Sequence, residues 1–136
     1  MILHDICVDK TGNEWLLSDN GIGMIASDSV EPILYFTDTQ SSKNRQRQTF
    51  YCMSEGNNEL YFGSQKGRVW LFNKENQNFR LLELDTDADV ISINPCTDNQ
   101  LILATRTDGF FMYNSETDEK LSLILIPEPT KQATTS

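Results

Sequence analysis

The side chains best suited to nucleophilic or metal chemistry in this 136-residue chain are one histidine and three cysteines. A single imidazole, His4, excludes zinc-protease helices, multi-histidine metal centres and most Cys/His finger patterns. Cys7, Cys52 and Cys96 are widely spaced and odd in number. Their mostly apolar flanks (Ile6-Cys7-Val8, Tyr51-Cys52-Met53) read as small buried thiols. One disulfide plus a leftover thiol finds no support in the spacing. A Cys/His nucleophile would have to recruit His4, close to the chain start. Glycoside hydrolysis needs two carboxylates across a cleft, but among 20 acidic residues some pair always fits, so this pattern discriminates nothing. A Gly-rich phosphate loop, a nucleophile elbow and a calcium loop are all missing from the sequence. The expectation is a chain without catalysis, cofactor or metal.

Composition narrows the partners. Twenty acidic against 11 basic residues give a net charge of −9, opposite to what nucleic acid or an anionic membrane attracts. Hydrophobic content of 38%, with 10% aromatics, is enough for a packed core, and the length suits one domain. Met1 is followed by Ile-Leu-His-Asp, without the basic start and apolar stretch of a signal peptide. The longest apolar run, Leu121 to Ile126, is far short of the ~20 residues of a spanning helix, so no direct membrane insertion is expected.

The elements that position these residues are strands. Turn signals recur at Asp9-Lys-Thr-Gly12, Asp19-Asn-Gly21, Glu55-Gly-Asn-Asn58, Gln65-Lys-Gly67, Asp98-Asn99 and Thr107-Asp-Gly109. Short runs rich in Ile, Val, Leu and aromatics lie between them, and no segment keeps a capped 3.6-residue apolar period. Glycine in Asn-Gly, Lys-Gly and Asp-Gly supplies the positive φ of tight hairpins. The chain also repeats itself. Trp15-Leu-Leu-Ser18-Asp-Asn-Gly21 aligns with Tyr61-Phe-Gly-Ser64-Gln-Lys-Gly67 and with Ile102-Leu-Ala-Thr105-Arg-Thr-Asp-Gly109, in steps of 46 and 41 residues. One apolar strand precedes each copy: Asp5 to Val8, Thr49 to Met53, Val90 to Ile93. Two follow it: Ile22 to Ile25 and Ile33 to Phe36, Arg68 to Phe72 and Phe79 to Leu84, Phe110 to Tyr113 and Leu121 to Ile126. Four antiparallel strands per repeat of this length define a β-propeller blade. The expected fold is therefore all-β, with three four-stranded blades forming a partial propeller. Residues 2–47 make blade one with a long polar loop, 48–88 blade two, 89–126 blade three and 127–136 a flexible tail.

Residues Ile6 to Gly21 resemble the two-component regulator propeller repeat: an apolar residue, an acidic one (Asp9), a glycine turn (Gly12), then Trp15, Ser18 and Gly21. Blade two keeps Glu55, Tyr61, Gly63, Ser64 and Gly67. Blade three keeps Asp98, Ala104, Thr105 and Gly109 but has Ile102 at the aromatic position. WD repeats fit less well, since neither tryptophan precedes an aspartate, and the Asp box fails because Asp9 and Gly12 are three apart. The resemblance implies the periplasmic sensor region of a Bacteroides-type hybrid two-component regulator, sensing glycan breakdown products for a histidine kinase elsewhere in the parent protein. The alternative is a structural or protein-interaction propeller segment without a small-molecule site.

Individual residues carry two readings each. Ser18, Ser64 and Thr105 read as hydroxyls that tie a strand end to the backbone, with ligand contact as the lesser role. Trp15, Tyr61 and Trp70 read as packing between blades rather than sugar platforms. The stretch Asp38 to Gln48, with Lys43, Arg45 and Arg47, reads as a solvated loop or as a basic contact for an anionic glycan or partner chain. The turns at Asp19-Asn20, Gln65-Lys66 and Arg106-Asp108 occupy equivalent places and gather on one rim, which makes Asp19, Asn20, Lys66 and Arg106 the candidate ligand residues. Three blades do not close a ring, since propellers use about 4–8. The expected partners are accordingly the remaining blades of a parent propeller, or a second copy of this chain, and an oligosaccharide.

Overall fold

The computed structural model describes residues 2–37, 47–96 and 99–123. It contains three four-stranded antiparallel sheets, each a consecutive meander. The first is β1 (Leu3–Val8), β2 (Glu14–Ser18), β3 (Gly21–Ile25) and β4 (Pro32–Tyr35). The second is β5 (Phe50–Glu55), β6 (Glu59–Ser64), β7 (Arg68–Asn73) and β8 (Phe79–Glu83). The third is β9 (Val90–Pro95), β10 (Gln100–Thr105), β11 (Phe110–Asn114) and β12 (Glu119–Leu123). These are propeller blades in an open, partial arrangement. Of the last strand expected from sequence, Ile124, Leu125 and Ile126 lie outside the described residues, as do most of the polar loop and the whole of the 127–136 tail.

The blades stack face to face, and the pleat decides which residue goes where. Trp15, Leu17, Ile22 and Met24 project from blade one onto Leu60, Phe62 and Phe72 of blade two. The alternate residues of blade two, Tyr61, Val69 and Leu71, meet Leu101, Leu103, Phe111 and Tyr113 of blade three. Blade two is thus buried on both faces, which is why its middle strands read as nearly continuous apolar runs. The first interface is aromatic: Trp15 lies 5.2 Å from Phe62 and 5.3 Å from Phe72. The second is mainly aliphatic. Each blade is buried where a neighbour covers it. On the uncovered face of blade one, Ile6, Val8 and Leu34 are 55%, 62% and 49% exposed.

Phe36 departs from its expected strand. It takes a left-handed φ of 59° immediately after β4, and its side chain is fully buried against Phe50, Trp70 and Phe79. The local conformation costs about 1–2 kcal/mol, and burying a whole phenyl ring returns more than that. The thiols also differ from expectation. Cys52 is buried, but Cys7 is half-buried and Cys96 is exposed, because Cys96 follows β9 at a hairpin rather than lying within the sheet.

Candidate functional site

In a meander of antiparallel strands, alternate connections fall at opposite ends. The turns after β2, β6 and β10 therefore share one rim with the crossings from β4 to β5 and from β8 to β9. The hydroxyl of each repeat holds its turn there. Ser18 Oγ donates to the Gly21 carbonyl at 3.2 Å and accepts from the Asn20 amide at 3.0 Å. Ser64 Oγ donates to Arg68 O at 3.1 Å, and Thr105 Oγ1 donates to Gly109 O at 2.8 Å. The three hydroxyls fasten their hairpins.

All four candidate ligand residues reach this rim. Asp19 accepts the Ile2 amide at 2.8 Å through its carboxylate, while its carbonyl takes Arg47 Nε at 3.2 Å and Thr49 Oγ1 at 3.3 Å. The Ile2 amide bond, with Arg47 nearby, holds the Asp19 carboxyl below its ordinary value. Asn20 sits in the same turn. Lys66 and Arg106 are brought together by a residue that sequence reasoning did not single out, Asp89. The Lys66 amide donates to Asp89 Oδ1 at 3.3 Å, and Arg106 Nε lies 3.7 Å from Asp89 Oδ2. The Arg106 backbone also donates to the Asp89 carbonyl at 2.9 Å. Lys66 lines an open hollow of about 610 Å³ with Arg68, Glu83, Asp85, Asp87 and Asp108.

Sequence reasoning also missed three bulges. The β1–β2 register skips His4, the β5–β6 register skips Tyr51, and the β9–β10 register skips Ile91. Bulges re-aim a side chain, and here they act at equivalent places on three adjacent first strands. The His4 and Tyr51 rings lie 4.9 Å apart, and Arg106 sits 5.4 Å over the Tyr51 ring. Burial, then the hydrogen-bonded Asp89 carboxylate, push the Tyr51 hydroxyl above its ordinary value. The amino-acid types carried no signal for this row, since a bulge depends on the partner strand. Trp70 packs on Phe36 at 4.7 Å, with its Nε1 buried and without a hydrogen-bond partner among the described residues; it is part of the blade interface. Among the described residues no group of three His, Cys, Asp or Glu side chains is placed to hold a metal ion.

No family model and no curated protein matches the sequence. Solved structures do match the fold. Two structures of the extracellular domain of BT4673 from B. thetaiotaomicron, a "putative one component system" or "putative hybrid two component system", superpose with TM-scores of 0.68 and 0.69. Sequence identity is 21% and 20%, and 90% of this chain is covered in both cases. This chain spans only 15% and 16% of the length of those structures. The three-blade fold is therefore shared with the extracellular domain of a larger bacterial protein.

Proposed function

We propose that this chain is part of a periplasmic, ligand-sensing propeller of a hybrid two-component regulator, and that it acts by binding glycan breakdown products without catalysing a reaction. The observation that carries this reading is the shared fold with an extracellular domain of that description over 90% of the chain. The acidic balance agrees with it, since the ligand is then neither nucleic acid nor membrane. Asp19, Asn20, Lys66 and Arg106 are the proposed ligand residues of the rim, with Asp89 holding the Lys66 backbone and the Arg106 guanidinium. Sensing on this reading is a difference in ligand affinity between signalling states. The remaining blades of the longer protein cover the apolar outer faces.

The test is calorimetric titration of the chain with a panel of oligosaccharides. Saturable binding of at least one is expected, and silence across the whole panel overturns the reading. The exposed apolar faces favour a second reading, an interaction segment with no small-molecule site, and that same silence would favour it.

A further inference from the structure

Blades two and three are joined along their first strands by polar bonds as well as by apolar packing. Cys52 Sγ donates to the Val90 carbonyl at 3.7 Å, and Ser54 Oγ donates to the Ile93 carbonyl. On the rim of the repeat turns, the Gly67 amide donates to the Ala88 carbonyl at 2.7 Å. Three donors of one blade thus take three main-chain carbonyls from the first strand of the next and its entry.

Register carries the same places into blade three. Cys52 and Ser54 stand opposite Gly63 and Tyr61, one and three residues before the repeat hydroxyl Ser64. Ser92 and Asn94 stand opposite Ala104 and Ile102, one and three residues before Thr105. Gly109 has a φ of 76°, as Gly67 has one of 69°. A hydroxyl, a primary amide and a main-chain amide are all donors. Among the described residues they face no further blade. Asn94 Nδ2 turns back onto Ser92 Oγ at 3.2 Å, while the Ser92 hydroxyl and the Gly109 amide donate to no acceptor. The repeat does not impose such donors: blade one has Asp5 and Cys7 at these places, and its Cys7 thiol donates to Asp5 at 3.5 Å.

The matching acceptors lie at the other end of the chain. Leu3 stands opposite Ser18 as Val90 stands opposite Thr105, and Ile6 opposite Leu16 as Ile93 opposite Leu103. Ile93 is covered by blade two and only 4% exposed, whereas Ile6 is 55% exposed. We propose that the first-strand edge of blade three docks β1 of a second copy of this chain. Ser92 then donates to the Leu3 carbonyl of that copy, Asn94 to its Ile6 carbonyl, and the Gly109 amide to the segment entering its β1. A second copy is the occupant because the two open ends are the two halves of one more blade boundary, continuing the two already formed in a head-to-tail sense. Docking also sets the Asp19–Asn20 turn of the second copy beside Arg106, as Arg106 stands beside Lys66 across Asp89, so the candidate rim runs on from one chain to the next. That consequence rests on the sensing reading, and the docking does not.

The test is sedimentation equilibrium of the chain and its variants, with hydrogen–deuterium exchange of the turn from Thr105 to Phe110 followed at low and high protein concentration. Self-association is expected, with exchange of the Gly109 amide slowing as concentration rises. Ser92→Ala and Asn94→Ala are expected to weaken association about five- to tenfold each at unchanged melting temperature. Glu116→Ala, exposed in the turn after β11, is expected to associate as the parent does. Neither measurement contains saccharide, so a silent oligosaccharide panel overturns the sensing reading and leaves the docking standing. A monomeric mass at every concentration overturns the docking. So does a dimer that both substitutions leave equally tight, or one in which Gly109 exchange does not slow.

Discussion

Asp9 shows how one carboxylate organises a blade. It accepts from the Thr11 amide at 3.0 Å, Thr11 Oγ1 at 2.8 Å and the Asn13 amide at 3.0 Å, as well as from the Trp15 indole. Burial pushes its carboxyl up, but the bonds from Trp15, Thr11 and Asn13 outweigh this and leave it below its ordinary value. A carboxyl whose folded-state value is depressed stabilises fully above its unfolded value, about 3.9, and loses that contribution as pH falls through the folded one. Thermal melts are therefore expected to show stability dropping below about pH 4 in the parent chain, with a smaller drop in Asp9→Asn. Asp9→Ala leaves the Trp15 indole N–H buried and unpaired, so a loss of about 2–3 kcal/mol near neutrality is expected in denaturant titrations. At the same scale, burial pushes the thiol of Cys52 up to about 12, and burial followed by Asp5 pushes that of Cys7 up to about 11. A raised thiol pKa leaves little thiolate near neutrality, so both are poor nucleophiles there.

At the scale of elements, the crossing from one blade to the next is what the repeat glycine serves in blades one and two. Gly67 has a φ of +69°, and a Cβ there would fall 2.4 Å from the Thr86 carbonyl oxygen. Gly21 repeats the arrangement at +96°, with a Cβ position 2.3 Å from Tyr35 O. In both, the glycine amide donates to the segment entering the next blade: Gly21 to Gln48 O at 2.8 Å, and Gly67 to Ala88 O at 2.7 Å. Gly67→Ala is expected to cost at least about 2 kcal/mol, since strain and collision act together. Gly23, with ordinary φ and no contact closer than 3.7 Å, is the control, and Gly23→Ala should leave the melting temperature nearly unchanged. The turns after β7 and β11 form a second repeated device. Asn73 Oδ1 accepts the amides of Glu75 and Asn76, and Asn114 Oδ1 accepts those of Glu116 and Thr117. Asparagine at the same place in two blades was a readable signal for these hairpins.

At the scale of the molecule, the uncovered faces are sequels of the covered ones. Ile6, Leu16 and Leu34 of blade one occupy the register of Met53, Phe62 and Leu81, the face by which blade two meets blade one. Ile102, Met112 and Leu121 of blade three occupy the register of Trp15, Met24 and Ile33, the face by which blade one meets blade two. One end is thus built to receive what the other presents. We propose that two isolated chains join end to end, closing a ring of about six blades. Light scattering is expected to give about twice the 15.5 kDa chain mass, and Val8→Glu, on the exposed face of blade one, to shift it toward the monomer. A stable, well-folded monomer of the parent chain overturns the idea.

The amino-acid order by itself determined the strand content, the threefold repeat and the turn positions, because these depend on local rules: alternation of apolar residues and glycine where φ is positive. It also placed Trp15 and Tyr61 between blades and Ser18, Ser64 and Thr105 at turn backbones, since repeat equivalence carries such roles from blade to blade. Only the tertiary structure decided the rest. The bulges at His4, Tyr51 and Ile91, the bridging by Asp89, the bonding of Glu55 to the Lys10 amide and the left-handed Phe36 each depend on a partner distant in sequence. Local propensity cannot encode such partners, because the energy that selects them arises only once two blades are packed together.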